Sequence, residues 1–412
     1  MYDAIVVGAR CAGSATALLL ARQGYRVLLV DKATFPSDTI NGHFVLHRGT
    51  LCLKRWGLLD RVLASNCPPI TRISTDFGDF PLPGELAWSD GAPPAVGPRR
   101  TVLDSILVNA AVEAGAELRE GFAVTDLMRE DTRVVGIRGQ SRGNAVVKEH
   151  AKIVIGADGK HSRIAQLVES PRHNEVPSLT CWYYSYWSGL PCDGLELNWR
   201  HHQVVLTFPT NDKLVLCGIG VPQADFQQFR SDIEGNYLKA IARIPQLAER
   251  IHNAHREARF FGVADVPNFL RKPYGPGWAL VGDASHHKDP TPAHGISDAF
   301  YNAELLAEAV HKGLSGEQPM DNALAQYQQS RDAHAIPEHA AAQHGARLEH
   351  WDSPDALGLR AALRGNAADT ADYLGTFVLM ASPEEFYSPA NLQRIMAKAN
   401  PDPQGTIPAS QP

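Results

Sequence analysis

The sequence predicts a mixed α/β protein: a Rossmann-like domain, an inserted antiparallel-sheet domain and a C-terminal helical region. Three observations predict it. Residues 1–31, MYDAIVVGARCAGSATALLLARQGYRVLLVD, read as strand, glycine turn, helix and strand. Residues 171–266 change to aromatic and β-branched runs separated by turn residues, the mark of antiparallel strands. From Trp278 the α/β alternation returns and then passes into helix.

Ile5, Val6 and Val7 have no polar face, as expected of a strand buried on both sides. Gly8 opens a tight turn, Gly13 follows five residues later, and Ser14 to Gln23 has helical character. The second strand, Val27 to Val30, ends on Asp31, with Lys32 beside it. This is a βαβ unit whose helix N-terminus faces a phosphate and whose acid reaches a ribose, so the chain is expected to bind a dinucleotide. One position departs from G-x-G-x-x-G: Arg10 replaces the middle glycine. Its side chain must either point away or swing over the phosphates as an extra cation. The acid lies 18 residues past Gly13, close to the usual spacing of about 20.

After Asp31 a loop runs from Ala33 to Gly49 around His43 and His47, and a helix is expected from Thr50 to Leu63. Residues 66–99, rich in Pro and Gly, form an excursion. A helix over Thr101 to Ala114, closed by Gly115, precedes strands at 117–120 and 123–129, a hairpin to Gly139 and a strand over Lys152 to Ile155. Four antiparallel strands follow between Trp182 and Ile219, then helical surface from Asp225 to Asn253. Trp278 to Val281 is a strand, Ile296 to Lys312 a helix, and 321–350 and 354–399 are helical. The expected division is 1–75, 98–170 and 267–335 for the first domain, 76–97 and 171–266 for the sheet domain, and 336–400 for the helical region. Residues 401–412 are expected to form a disordered tail.

At 412 residues, with 44% hydrophobic and 20% charged residues, the composition is that of a globular protein of two or three units. A net charge of −6 without a basic run argues against a nucleic-acid partner. No apolar run approaches the roughly 18 residues of a membrane span. The first strand starts too early to leave room for a signal peptide. The six cysteines form no C-x-x-C pair and read as reduced thiols of a cytoplasmic protein. Oligomeric state is not legible.

Two later loops repeat the logic of a ligand-facing strand end. Gly156-Ala157-Asp158-Gly159 is followed by Ser162-Arg163, and Gly282-Asp283-Ala284 by Pro290, Gly295 and Ile296. A glycine-flanked acid at the C-terminal end of a parallel strand lies in the crevice where such sheets bind ligands.

With these motifs the chain resembles the FAD-dependent oxidoreductases of the p-hydroxybenzoate hydroxylase fold, over roughly residues 1–335. That group includes single-component monooxygenases, geranylgeranyl-reductase-like enzymes and flavin halogenases. The carriers are Gly8-x-Arg10-x-x-Gly13, Asp31, Arg100-x-x-Leu103-Asp104, Gly156-Ala157-Asp158-Gly159 and Gly282-Asp283-Ala284 with Pro290 and Gly295. The resemblance implies an FAD-binding domain of the GR2 type. In it Gly8 and Gly13 would line the pyrophosphate and Asp31 would meet the adenosine ribose. Arg100 would reach the phosphate or ribityl region, Val124 would touch the adenine through its backbone, and Asp283 would bind the ribityl chain or pyrophosphate. Asp158 would sit near both the flavin and a transient nicotinamide nucleotide. The family usually has a glycine at each end of the G-x-G before the late helix, and Ala293-His294-Gly295 departs from this. A helix starting near Gly295 or Ile296 would present free N–H groups to the negative edge of reduced flavin.

His43 and His294 are the candidates for acid–base chemistry, whereas His286 and His287 read as loop residues satisfying backbone groups. No carboxylate or cysteine pairs with these histidines at ligand spacing, so no metal is expected. Trp182, Tyr184 and Tyr186 share one strand face and could roof a pocket for an aromatic ligand, with Tyr183 and Trp187 on the other. A single βαβ fingerprint means that NAD(P)H, if it is the reductant, binds transiently. The expectation is an FAD-dependent monooxygenase using NAD(P)H and O2 on an apolar, aromatic or polyketide-like small molecule. The alternative is a reductase of the same fold acting on a C=C bond. The halogenase W-x-W-x-I-P signature is absent, and no lysine is clearly placed for hypohalous acid.

Overall fold

A computed structural model describes residues 1–398 except 41, 86–92, 142, 144, 350–351 and 379. The expected tail at 401–412 lies outside the described residues.

The first sheet is built on five parallel strands in the order Trp278–Leu280, Val147–Gly156, Tyr2–Val7, Val27–Val30 and Glu117–Arg119. Their side chains alternate between two buried faces, which is why they lack a polar side. Ala4 and Val6 face a core shared with helices Cys11–Arg22, Arg100–Glu113 and Gly295–Ser315. Ile5 and Val7 face Phe122, Leu127 and Ile137 of the meander Phe122–Glu130 and Arg133–Ser141. The register sets Val7 beside both Val30 and Gly156, and Gly156 beside Leu280. The C-terminal ends of four strands therefore lie in one row: three carry a glycine motif, at Gly8, Gly156 and Gly282, and the fourth ends on Asp31.

The second sheet runs in the order His255–Arg256, Thr180–Ser188, Val215–Pro222, Gln203–Pro209, Leu195–Arg200, Arg72–Asp76 and Pro81–Glu85. The expected four strands are antiparallel, but Arg72–Asp76 runs parallel to Leu195–Arg200. This strand already belongs to the second sheet before residue 76, where the sequence division starts. Helix Met320–Gly345 likewise runs through the expected boundary at 335/336. One face of the sheet packs Cys181, Tyr183 and Trp187 against helices Ile233–Ala242 and Pro245–His252. The other turns Tyr184 and Tyr186 toward Phe44, Leu46 and the C-terminal helices Pro354–Leu363 and Ala367–Phe377.

Some element limits differ from expectation. The helix placed at Thr50–Leu63 is two, His47–Arg55 and Leu59–Ala64, because Gly57 takes a left-handed φ of 70° between them. The first helix starts at Cys11, three residues before Ser14, so Arg10 is its N-cap. The cysteines stand as free thiols, all buried except Cys192, which is half-buried. Among the described residues no helix is long and apolar enough to cross a membrane.

Candidate functional site

The row of strand ends packs too tightly for side chains at two places. A Cβ on Gly8, whose φ is 105°, would lie 2.4 Å from the Ala157 carbonyl oxygen. A Cβ on Gly13 would lie 1.7 Å from the Gly8 oxygen. Across the same contact, Gly282 abuts Ala12. The Gly8–Gly13, Gly156–Gly159 and Gly282–Ala284 motifs thus meet at the N-terminus of the first helix. That helix has no side-chain cap, which leaves its leading N–H groups open to an anion.

Arg10 neither points into solvent nor lies loose over this end. Its Nη1 donates to Asp104 at 2.5 Å, and its Nη2 donates to Ser37 Oγ at 3.0 Å. Arg100 donates to the same carboxylate from Nε at 3.1 Å and from Nη2 at 2.9 and 3.1 Å. Asp104 is wholly buried and the Arg100 side chain is 4% exposed, so one carboxylate clasps two guanidiniums, Arg100 out of water and Arg10 partly in it. Burial alone would lower the Arg100 pKa, but Cys11, Asp104 and Asp283 together raise it. Burial pushes the Cys11 thiol up to about 12, and it stays protonated against Asp104. Asp104 entered the sequence reading only as part of the Arg100 motif. A partner 94 positions from Arg10 leaves no local signal.

The acids divide by use. Asp31 accepts the Ala9 N–H at 2.7 Å and the Ala33 N–H at 2.8 Å, closing the glycine turn, while Lys32 is exposed. Asp158 accepts from Ser162 Oγ at 2.5 Å and from the Arg163 and Ile164 N–H groups at 2.6 and 3.1 Å. With the N-cap Ser162, whose Oγ accepts the Ala165 N–H, it satisfies the start of the short helix Arg163–Leu167, and burial raises its pKa despite these bonds. Asp283 is half-buried beside the Arg100 charge and accepts no hydrogen bond from the described residues. Val124 is half-buried in the meander opposite Gly139.

At the other end of the row, helix Gly295–Ser315 begins with His294 as N-cap and without a side-chain cap bond. Pro290 accepts the Ala293 N–H at 2.8 Å, and Ala293 takes a φ of 58°, the conformation glycine adopts without strain. Ala293 thus holds the left-handed conformation that a glycine would adopt there. Ile296 is buried, and Ser297 Oγ accepts the Leu46 N–H at 3.0 Å, tying the His43 loop to this helix. Both ring nitrogens of His294 are buried without a hydrogen-bond partner, Nδ1 lying 3.7 Å from Glu338.

Behind His294 lies an ion cluster that the sequence reading missed. Lys288 Nζ bonds Asp298 at 2.8 Å and Glu338 at 2.7 Å, and Arg48 bonds Glu338 at 3.2 Å. Burial lowers the Lys288 pKa, but the two carboxylates outweigh it and hold the ammonium charged. Burial would raise Glu338, yet His294, Lys288 and Arg48 hold it far below the usual carboxylate range. Asp298, His334 and Glu338 bring ligand atoms within 4.8 Å of one another, the spacing of a metal trio. Lys288 and Arg48 already occupy those carboxylates. His286 is buried and held well below the ordinary histidine range by burial and Lys288, and His287 bonds the Pro267 carbonyl.

The aromatic face of the second sheet packs beside the start of the late helix. His43 is buried and shares a short hydrogen bond with the Tyr186 hydroxyl. Its ring lies 5.6 Å from Tyr184 and 5.7 Å from Tyr186. Tyr184 stacks on Phe261 at 5.1 Å, and its buried hydroxyl has no partner. Burial pushes both phenols far above their ordinary pKa, so they remain neutral donors. Ala293 packs on the same cluster. Trp182 shares the strand face but is drawn away: its Nε1 donates to Thr180 at 2.9 Å, and its ring sits with Trp199, Val204 and Leu348.

The FAD binding domain family matches residues 1–340, and the chain belongs to it. The chain is 23% identical to 1H-pyrrole-2-carbonyl-[peptidyl-carrier protein] brominase of Pseudoalteromonas luteoviolacea, over 76% of this chain and 78% of that protein. It is 27% identical to digeranylgeranylglycerophospholipid reductase of Methanosarcina mazei, over 76% of each. The flavin-dependent brominase Bmp2 superposes with a TM-score of 0.78 at 18% identity, over 96% of this chain and 98% of that one. The Pseudomonas aeruginosa monooxygenase PqsL superposes at 0.71 and 18% identity, over 91% and 99%. At these identities the structures establish the fold alone. The protein is an FAD-binding oxidoreductase. Its residues fit that cofactor: a side-chain-free cradle at Gly8 and Gly13, an uncapped helix end, the clasped Arg10–Arg100 pair and an Asp283 carboxylate with open acceptors.

Proposed function

We propose that this member of the FAD-binding family is a monooxygenase that uses NAD(P)H and O2 to hydroxylate an apolar, aromatic or polyketide-like small molecule held beneath Tyr184 and Tyr186. The observation that carries the reading is a buried aromatic cluster beside the late helix. Tyr184, Tyr186, Phe44, Phe208 and Leu46 pack in one cluster that Ala293 joins, and beside it stand one unpartnered phenol and one buried histidine. A ligand seated against this cluster would lie away from water, with polar contacts at two points.

When bound, FAD would supply the redox chemistry, hydride acceptance from NAD(P)H and reduction of O2. In balance, R–H, O2, NAD(P)H and a proton give R–OH, water and NAD(P)+. Gly8, Gly13 and the first-helix N–H groups would hold the pyrophosphate, with Arg10 and Arg100 supplying positive charge alongside. Asp31 and Lys32 would face the adenosine ribose and Val124 the adenine. Gly282 and Asp283 would meet the ribityl chain. Pro290, Gly295 and Ile296 would bring the positive end of the late helix to the ring's anionic edge. His43, bonded to Tyr186, would hold or pass a proton at the substrate, and His294 would do so from the helix side. Asp158 would act by holding the Ser162 loop through its bond to Ser162 Oγ. A transient NAD(P)H fits the single βαβ unit, and the free thiols fit a cytoplasmic setting.

The identity to the archaeal reductase favours one second reading, hydride transfer to a C=C bond. Purified holoenzyme distinguishes them. NADH and NADPH oxidation is followed with aromatic and isoprenoid candidates, with and without bromide, and products are weighed. A gain of one oxygen atom supports the proposal. A gain of two hydrogens without O2 consumption establishes the reductase, and bromine incorporation overturns hydroxylation.

A further inference from the structure

We propose that the ion cluster behind the late helix, Lys288 and Arg48 against Asp298 and Glu338, sets the reduction potential of bound FAD; this rests on the reading that the helix start at Gly295 meets the flavin ring.

Two observations at the helix start carry the proposal. Gly295 is exposed, and a Cβ there would meet nothing within 4 Å, so the first turn of helix Gly295–Ser315 opens onto free space. In that same turn stands a buried acid, Asp298. A negative charge in the first turn cancels much of the positive end that a helix offers an anion. Here the acid is itself cancelled: Lys288 Nζ lies 2.8 Å from one Asp298 oxygen, and Arg48 lies 3.5 Å from the other.

Separate elements bring these charges together. Lys288 belongs to the segment that leads into the helix. Arg48 belongs to helix His47–Arg55, which closes on the late helix because residue 49 is glycine: a Cβ there would lie 2.7 Å from Ser297 Oγ. Glu338, on helix Met320–Gly345, lies 2.7 Å from Lys288 and 3.2 Å from Arg48. His334 stands 3.2 Å from Glu338, and burial holds it below the ordinary histidine range; His294 lies 3.7 Å from Glu338. Two cations thus face two carboxylates, and the helix end keeps its own positive potential.

Stability does not explain the arrangement. Buried ion clusters are often no more stable than apolar side chains of the same size, whereas loss of one member leaves a charge unpaired. A balanced cluster at a helix start fixes the potential felt by a ligand in front of it. Removing one positive charge disfavours the negative charge that FAD gains on reduction, and removing one negative charge favours it.

The test is the midpoint potential of the purified holoenzyme, read spectrally against reference dyes, with thermal melts alongside. Lys288→Met should make FAD harder to reduce and Glu338→Gln easier, each shifting the reduced-to-oxidised ratio by about tenfold, or ~30 mV for a two-electron couple. The double variant should return close to wild type. Both single variants leave a charge unpaired, so a structural role alone would lower both melting temperatures without moving the potentials in opposite directions. Should either variant fail to fold, Arg48→Gln and Asp298→Asn repeat the two signs from other positions. Shifts of one sign, or no shift with FAD bound, would overturn the proposal. Gly295→Val, which fills the open space, separates it from the reading beneath. If this variant displaces the flavin absorption band while the potentials stay fixed, the charge role falls alone. If it too changes nothing, the placement of the ring at this helix falls, and the proposal with it.

Discussion

Replacing Asp104 by Asn tests whether the two-arginine clasp holds the cofactor end of the fold. The substitution keeps shape and one acceptor, removes the charge, and turns an amide toward guanidiniums already rich in donors. Arg100 loses a carboxylate at 2.9–3.1 Å in a site where its side chain is 4% exposed. Arg10, 24% exposed, can recover part of its hydration. Breaking a buried pair costs about 3–5 kcal/mol, and the partial exposure of Arg10 places this case near ~3 kcal/mol. With an unfolding entropy of about 2.1 cal/mol/K per residue, that lowers the melting temperature of the cofactor-free protein by roughly 3–4 °C. Freed Arg10 should also swing from its 3.0 Å bond to Ser37, and FAD affinity should fall. The assay is differential scanning calorimetry with and without FAD, joined to a flavin-fluorescence titration. An Asp104→Asn protein with unchanged melting temperature and FAD affinity would refute the clasp.

Gly13→Ala places a methyl 1.7 Å from the Gly8 oxygen, so the variant is expected to purify without FAD; a yellow protein with full flavin absorbance would contradict the cradle. Burial holds His286 well below its ordinary pKa, so on acidification the unfolded chain takes up the proton first. Stability should then fall as pH drops below about 6.5, by up to about 1.4 kcal/mol per unit. His286→Phe should flatten that slope in urea melts between neutral and mildly acid pH, and an unchanged slope would exclude this histidine.

What was legible in the sequence was local. The βαβ unit could be read because Ile5–Val7, Gly8, Gly13 and Asp31 lie within one short segment whose periodicity and turn chemistry agree. The convergence of Gly156 and Gly282 on it follows from parallel register, which strand-end motifs imply. Side-chain partnerships across the chain were not legible. Asp104 joins Arg10, and Lys288 joins Glu338, through folding alone. The alternation rule put Trp182 with Tyr184 and Tyr186, but a hydrogen bond to Thr180 and packing on Leu348 take its ring elsewhere. Helical spacing alone ran through Trp56–Leu58, where Gly57 breaks the helix.

The C-terminal helices have a consequence for how this protein can change. Leu363, Tyr373 and Leu374 share a packed cluster with Tyr184 and Tyr186, yet they lie beyond residue 340, where the family match ends. Arg360 fastens that segment to Asp79 at 2.6 Å. Under the proposed function, volume and shape at the substrate end would be tuned by one stretch of chain and grip on the nucleotide by another. Substitutions at Leu363 or Leu374 would then resize what is admitted while the yellow colour stays the same.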